Sequence, residues 1–227
     1  MSATMSRSLN SSESIVMNGY HPRIFIVDSD AQSVQFITEV VRPHNLQVEQ
    51  FASGEDFWRT HEAHFCGCAI IELELPGMSG IQLQERMSVA HCSLPIIMTA
   101  TEADLAIAVR SMKLGAVDFF QKPCHPLELW EAIQVCIEKD RVRRLDESIR
   151  NDIRTRVTQL TAQEHQVMQL MLACKPNKAI ANLLDLSLRS IDFRRASILR
   201  KMQAHSSIEL AQMLTLIDYS LNVRDVG

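Results

Sequence analysis

At 227 residues, with 46% hydrophobic and 22% charged residues and a formal net charge of −4 at pH 7, the chain has an ordinary globular composition and the length of two compact domains. This composition excludes a chain too polar to bury a core, and no apolar run approaches the roughly 20 residues that a membrane span requires. The N-terminus lacks the apolar core of a secretory signal, so the sequence predicts a cytoplasmic protein with no membrane partner.

The first segment, residues 1–21, is polar and rich in serine, and we expect a disordered leader there. From residue 22 to residue 137, short apolar runs alternate with stretches of helical length. This alternation predicts an α/β domain, doubly wound around a five-stranded parallel sheet. The predicted strands are 23–28, 46–51, 68–72, 94–99 and 117–121.

Polar side chains stand at the ends of four of these predicted strands. Doubly wound sheets place their sites at the carboxyl ends of the strands. We therefore expect the polar residues at these ends to converge on one edge of the sheet, namely Asp28, Ser29, Asp30, Glu72, Thr99 and Lys122. The sequence predicts an acidic cluster there, together with a hydroxyl group and a lysine.

The segment 138–157 is highly charged and carries a narrow apolar stripe at helical spacing. The stripe consists of Val142, Leu145, Ile149, Ile153 and Val157. Two interpretations are open. Either the segment is a helical linker that pairs with a second copy of the chain, or it continues a helix of the first domain and packs its stripe on a domain.

Residues 158–222 carry four short helical patterns separated by turns, which predicts an all-α four-helix domain, followed by a tail at 223–227. Between Leu160 and Ser206 there are seven lysines and arginines against three acids, so this segment has a net charge of +4 and the remainder −8. A basic domain attached to an acidic body is typical of a nucleic-acid-binding module joined to a separate regulatory domain.

The C-terminal domain closely resembles the helix-turn-helix of the LuxR/FixJ family. The resemblance is carried by LTAQE (160–164), PNKAIANLL (176–184) and SLRSIDFRR (187–195), and it continues to Ser206. It implies binding to double-stranded DNA, with the helix after Ser187 in the major groove. The implied contact residues are Lys178, Arg189, Ser190, Asp192, Phe193, Arg194, Arg195 and Lys201. Of these, Lys178, Arg195 and Lys201 are expected near phosphates, and Asp192 and Phe193, with Ala196, near base edges.

Two features of this domain bear on its ability to fold and to bind DNA. Thr161 and Glu164 have the spacing of a capping box, and Ser187 is placed to cap the recognition helix. The family usually has glycine at the position of Cys174 and histidine at that of Arg194. We expect strain at Cys174 if the turn needs a positive φ, whereas the charge of Arg194 favours DNA.

The N-terminal domain looks like the receiver domain of two-component response regulators. The resemblance covers about 120 residues and is carried by ELELPGMSG (72–80), PIIMT (95–99) and GAVDFFQKP (115–123). It implies a phospho-acceptor position at Glu72, where the family has aspartate. It also implies switch residues at Thr99, Lys122 and Phe119, and a sensor kinase or another protein as partner.

The resemblance further implies a Mg²⁺ site, with Asp28, Glu72 and Glu74 as candidate ligands. Ser29 replaces the second of the two acids that hold the metal in the family, and Mg²⁺ demands near-ideal octahedral oxygen geometry. Glu72 places its carboxylate one methylene further out than aspartate, which disfavours an in-line attack on phosphorus. Both departures weaken ordinary phosphorylation.

Two interpretations of this pocket are open. Glu72 imitates a phosphorylated aspartate by reaching towards Thr99 and Lys122, or Lys122 pairs with Asp28 and Glu72 as a structural ion network. We predict an atypical response regulator that binds a two-fold DNA site as a homodimer and is not an enzyme. The alternatives are an interaction adaptor with an ancillary basic domain, and a conventional phosphorelay regulator that uses Glu72 or a neighbouring acid.

Overall fold

A computed structural model describes residues 20–60, 65–102 and 104–219. It divides into two compact units, one that ends at Arg143 and one that begins at Arg144. The tail expected at 223–227, and all but the last two residues of the leader expected at 1–21, lie outside the described residues. None of the described helices is long and apolar enough to cross a membrane.

The N-terminal unit is built on the expected five-stranded parallel sheet, with the strand order β2-β1-β3-β4-β5. The strands are β1 (Arg23–Val27), β2 (Gln47–Phe51), β3 (Gly67–Glu72), β4 (Ile96–Ala100) and β5 (Asp118–Gln121). The helices are α1 (Ala31–Val41), α2 (Gly54–Thr60), α3 (Gly80–Val89), α4 (Leu105–Lys113) and α5 (Pro126–Thr158). The predicted fold class is confirmed.

Both faces of the sheet are buried, which is why its central strands read as continuous apolar runs. In β1, Ile24 and Ile26 join the core under α1 and α5, whereas Phe25 and Val27 join the core on the opposite face. This alternation follows from the two-residue period of a strand.

Helix α5 is a single helix of 33 residues that includes the segment 138–157. The segment thus continues the last helix of the receiver, and its pairing with a second copy of the chain stays a prediction. The stripe is divided: Ile153 and Val157 join the core of the C-terminal unit, whereas Val142, Leu145 and Ile149 remain exposed.

Tyr20, which lies within the predicted leader, packs against the N-terminal unit. Its hydroxyl donates a hydrogen bond to Asp140 Oδ2 at 3.0 Å. The same buried carboxylate accepts the backbone N–H of Gly67 at 2.8 Å. Gly67 has a φ of +119°, and a Cβ there would lie 2.0 Å from the carbonyl oxygen of Arg23, so only glycine fits. Asp140 therefore ties α5 both to the start of β3 and to the chain before β1.

The C-terminal unit contains the four expected helices: α6 (Ala162–Leu172), α7 (Asn177–Leu184), α8 (Leu188–Met202) and α9 (Ser207–Thr215). Val167, Ile180, Ile191, Ile198 and Leu210 are fully buried and bring all four helices into one core. The predicted all-α domain is therefore confirmed.

Candidate receiver pocket and nucleic-acid interface

Four of the six polar residues predicted at the strand ends converge on one edge of the sheet: Asp28, Glu72, Thr99 and Lys122. Glu72, the last residue of β3, is paired in register with Thr99 of β4. The side chains of Asp28, Glu72 and Thr99 are buried, and the side chain of Lys122 is 17% exposed. The predicted acidic cluster with a hydroxyl group and a lysine is therefore assembled.

The ammonium group of Lys122 pairs with both buried carboxylates. Lys122 Nζ lies 2.7 Å from Asp28 Oδ2 and also forms a salt bridge with Glu72 Oε2. Burial alone would lower the pKa of Lys122, but the hydrogen bonds to Asp28 and Glu72 outweigh it and raise that pKa above its ordinary value. Lys122 is therefore charged at neutral pH.

The remaining carboxylate oxygens are also satisfied. The Thr99 hydroxyl donates to Glu72 Oε2 at 3.3 Å, and the backbone N–H of Glu74 donates to Glu72 Oε1 at 3.2 Å. The backbone N–H of Asp30 donates to Asp28 Oδ1 at 2.8 Å. A buried charge is tolerated only when it is paired and hydrogen-bonded, and both carboxylates meet that requirement.

The residues around this pocket do not fit a Mg²⁺ ion. The ammonium of Lys122 already bonds both buried carboxylates, and the side chains of Ser29 and Glu74 are exposed. The carboxylate of Asp30 caps α1, where it accepts the backbone N–H groups of Gln32 and Ser33. Within the described ranges, no three histidine, cysteine or acidic side chains are grouped so that they could hold a metal. The candidate ligands Asp28, Glu72 and Glu74 are thus not brought together as a set.

The third expected switch residue, Phe119 of β5, is half-buried. It packs against the core on the face of the sheet that contains Phe25 and Met98. Its ring therefore points into the domain in this structure.

The candidate DNA-binding surface is the exposed face of α8 with the start of α7. Ser187 caps α8 by accepting the backbone N–H of Ser190 at 3.1 Å, as predicted. The exposed residues are Lys178 on α7 and Arg189, Asp192, Phe193, Ala196 and Arg200 on α8. Phe193 is 73% exposed, although a phenylalanine normally buries its ring. Phe193 therefore lies exposed on the same helix as the arginines Arg189 and Arg200.

Other expected contact residues are engaged within the unit or are less exposed. Lys201 Nζ lies 2.6 Å from Glu164 Oε2 and donates to the carbonyl of Gln159 at 3.1 Å. Arg195 donates to the hydroxyl of Ser207 at 3.3 Å, and Arg194 is half-buried. Their roles at DNA stay predictions, and Lys201 would have to leave its ion pair to reach a phosphate.

A buried network around Glu164 was only partly predicted from the sequence. Its capping box with Thr161 is present, as expected. Glu164 Oε1 also accepts the Ser197 hydroxyl at 2.7 Å. Burial alone would raise the pKa of Glu164, but the hydrogen bonds from Lys201, Thr161 and Ser197 outweigh it and lower that pKa to about 2. Ser197 and Lys201 lie more than thirty positions downstream, and no local pattern marks them as partners.

Two further features of the DNA-binding domain lie at the start of α7 and in the turn before it. Asn177 Nδ2 donates to Asp192 Oδ1 at 2.7 Å and joins the start of α7 to α8, a contact that no motif in the sequence indicated. Cys174, which replaces the family's usual turn glycine, has a φ of +54°. The turn therefore does need a positive φ, and a cysteine adopts it at some cost.

Comparison with known proteins identifies both domains. The family model for a response regulator receiver domain matches residues 24–134, and the model for bacterial regulatory proteins of the luxR family matches residues 158–214. The chain is 33% identical over 190 residues to the transcriptional regulatory protein FixJ of Bradyrhizobium diazoefficiens, covering 84% of this chain and 93% of FixJ. It is 31% identical to the response regulator TodT of Pseudomonas putida, covering 87% of each.

Solved structures are also similar. The low-resolution structure of the response regulator StyR matches with a TM-score of 0.79 at 28% identity, covering 88% of this chain and all of StyR. Full-length FixJ from B. japonicum matches with a TM-score of 0.53 at 31% identity, covering 88% of this chain and 98% of FixJ. The chain therefore belongs to the LuxR/FixJ-type response regulators: it is a DNA-binding transcription regulator, not an enzyme, with a receiver domain and a LuxR-type DNA-binding domain.

Proposed function

We propose that this protein binds a two-fold site on double-stranded DNA as a homodimer in the cytoplasm, and that it does so without ordinary phosphorylation of its receiver. The observation that carries the independence from phosphorylation is the pair of contacts made by Glu72. Its side chain bonds both Thr99 and Lys122, the two positions that read the phosphoryl group in the receiver family.

The contacts of Glu72 support a built-in substitute for a phosphorylated aspartate. The extra methylene relative to aspartate brings the carboxylate to the hydroxyl and the ammonium group. A carboxylate offers fewer acceptor oxygens and less charge than a phosphoryl group, so the imitation is partial.

The pocket is also poorly suited to accept a phosphoryl group. Both oxygens of Glu72 are engaged, Ser29 supplies no second acid, and Lys122 pairs with the carboxylates that a metal would need. Without a metal ion, the negative charge of a phosphodonor is poorly neutralised next to two carboxylates. A sensor kinase is therefore not required for the active state, although the receiver surface remains available to protein partners.

The DNA-binding half of the proposal is tested by a salt titration. We expect affinity for an operator duplex to fall steeply as salt rises, because Lys178, Arg189 and Arg200 displace counterions from phosphates. Arg189→Ala should weaken binding by about tenfold, whereas Arg59→Ala, an equal change at an exposed site in the receiver, should leave it unchanged. A shallow salt dependence with equal binding to random duplex would favour the interaction adaptor instead.

The role of Glu72 is tested by rebuilding the family pocket. A variant that combines Glu72→Asp with Ser29→Asp should bind DNA only with a phosphodonor, while the wild type binds with or without it. If the double variant and the wild type bind equally in both conditions, the pocket is a structural ion network disconnected from DNA binding.

A further inference from the structure

Helix α5 exposes an apolar stripe on the side that faces away from the receiver core. Val135, Val142, Leu145 and Ile149 are 48%, 44%, 53% and 43% exposed. The opposite side of the helix is buried against the sheet through Leu129, Ile133, Cys136, Ile137 and Asp140. The stripe is thus a continuous apolar surface that the described residues leave about half exposed.

The spacing of the stripe is that of a coiled-coil seam. Val135, Val142 and Ile149 are each seven residues apart, and Leu145 lies three residues after Val142. In heptad notation the three β-branched residues occupy a positions and Leu145 occupies a d position. β-branched residues at a with leucine at d favour a two-stranded parallel coiled coil.

We propose that residues 135–149 of α5 pair in parallel with the same segment of a second copy of this chain. The surface exists whether or not the protein binds DNA, but the role that we give it, holding two DNA-binding domains for a two-fold site, rests on the proposed function. A parallel pair also brings the C-terminal ends of both α5 helices together, next to the start of each DNA-binding domain.

The parallel direction follows from what each arrangement places in contact. In parallel, Val135, Val142, Leu145 and Ile149 each meet their own counterpart, and Glu138 meets the same residue of the second copy. In the antiparallel arrangement centred on Val142 and Leu145, Ile149 would face Glu138 and Val135 would face Asp152. Apolar side chains against carboxylates lose burial and desolvate charge, so the antiparallel pair is disfavoured.

The charges beside the seam support the same register. Arg141 occupies a g position and Asp146 the e position of the next heptad, and these two positions meet across a parallel dimer. The pair occurs twice, because each chain contributes one arginine and one aspartate. Arg141 also bonds Glu138 of its own chain, which shields the one acid at a d position of the central seam.

The seam spans only about two heptads, so its dimer should be weak and concentration-dependent. Sedimentation velocity on the full-length protein over about 1–200 µM measures it directly. Leu145→Asp should weaken self-association by roughly thirtyfold or more. Leu105→Asp, the same change at an exposed leucine on α4, should leave it unchanged.

Charge reversal tests the register itself. Arg141→Glu and Asp146→Arg should each weaken the dimer by roughly fivefold, and the double variant should return to within about twofold of the wild type. A wild type that stays monomeric at about 200 µM would overturn the proposal, as would single variants without effect. Loss of the dimer in Leu105→Asp but not in Leu145→Asp would place the interface on α4 and overturn it as well.

The same variants separate this inference from the proposed function. If Leu145→Asp is monomeric and still binds a single half-site, the DNA-binding function stands by itself. If the wild type dimerises through the seam but does not bind DNA, the coiled coil stands and the proposed function fails.

Discussion

Removing the lysine of the receiver pocket should strongly destabilise the receiver domain. Lys122→Met keeps an unbranched side chain, one atom shorter, but removes the ammonium that pairs with Asp28 and Glu72. Both carboxylates then remain buried, with only neutral hydrogen-bond donors: the hydroxyl of Thr99 and the backbone N–H groups of Asp30 and Glu74.

The expected cost follows from the geometry. At an effective dielectric constant of about 20, a unit-charge pair separated by the 2.7 Å between Lys122 and Asp28 attracts by about 6 kcal/mol before desolvation is subtracted. Loss of one partner of a buried pair costs about 3–5 kcal/mol net. The partial exposure of Lys122 lets water reach the site, so we expect a loss of about 3 kcal/mol in the free energy of unfolding.

Urea unfolding followed by tryptophan fluorescence isolates this effect. The chain has two tryptophans, Trp58 and Trp130, and both lie in the N-terminal unit, so their emission reports the receiver and not the DNA-binding domain. Lys113→Met, the same change at an exposed position on α4, is the matched control and should shift the free energy by less than about 0.5 kcal/mol.

Replacing the two unpaired acids, Asp28 and Glu72, by neutral residues supplies the converse test. Adding Glu72→Gln and Asp28→Asn to Lys122→Met should recover much of the lost stability, because no buried charge is then left unpaired. If Lys122→Met alone is as stable as the wild type, or if the triple variant is less stable than Lys122→Met, the ion network is not what holds the pocket.

Three further predictions concern packing and caps. Cys174→Gly should stabilise the DNA-binding domain by about 0.5–1 kcal/mol in thermal unfolding followed by circular dichroism, because glycine adopts the φ of +54° without strain; a lower melting temperature would contradict this. Glu164→Ala should lower the free energy of unfolding of the DNA-binding domain by about 3 kcal/mol at pH 7. Because folding lowers the pKa of Glu164 to about 2, this contribution is complete above its ordinary pKa near 4.5 and is lost as pH falls towards 2, so wild type and variant should converge in acid; a gap that does not depend on pH would refute it. Tyr20→Phe should lower the free energy of unfolding of the receiver by about 1 kcal/mol, because Asp140 loses one hydrogen bond. Urea unfolding followed by tryptophan fluorescence measures this loss, and an unchanged midpoint would contradict it.

The elements with a strong local period were predictable from the sequence. The five strands, the helices of the C-terminal domain and the caps at Thr161 and Ser187 all follow from patterns within a few residues of each other. The convergence of Asp28 and Glu72 at one edge was also predictable, because parallel strands share the edge where their carboxyl ends meet.

The hydrogen-bond and ion-pair partners of individual side chains were harder to predict from the sequence. Lys122 and Asp28 are 94 positions apart, and the sequence left open whether the lysine paired with the acids. The ion pair of Lys201 with Glu164 likewise depends on how α6 and α8 pack, so a residue expected at phosphates is occupied inside its own domain. The continuity of α5 was ambiguous for a different reason: a charged helix with a narrow stripe satisfies both a linker and an extension of the receiver.

The most direct test of the whole account is the affinity of the unmodified protein for its operator duplex, measured by fluorescence anisotropy at fixed salt with and without acetyl phosphate. We predict the same dissociation constant in both conditions, because Glu72 already bonds Thr99 and Lys122. Binding that appears or tightens by about tenfold or more only when acetyl phosphate is present would show that the receiver still depends on phosphorylation and would contradict the account.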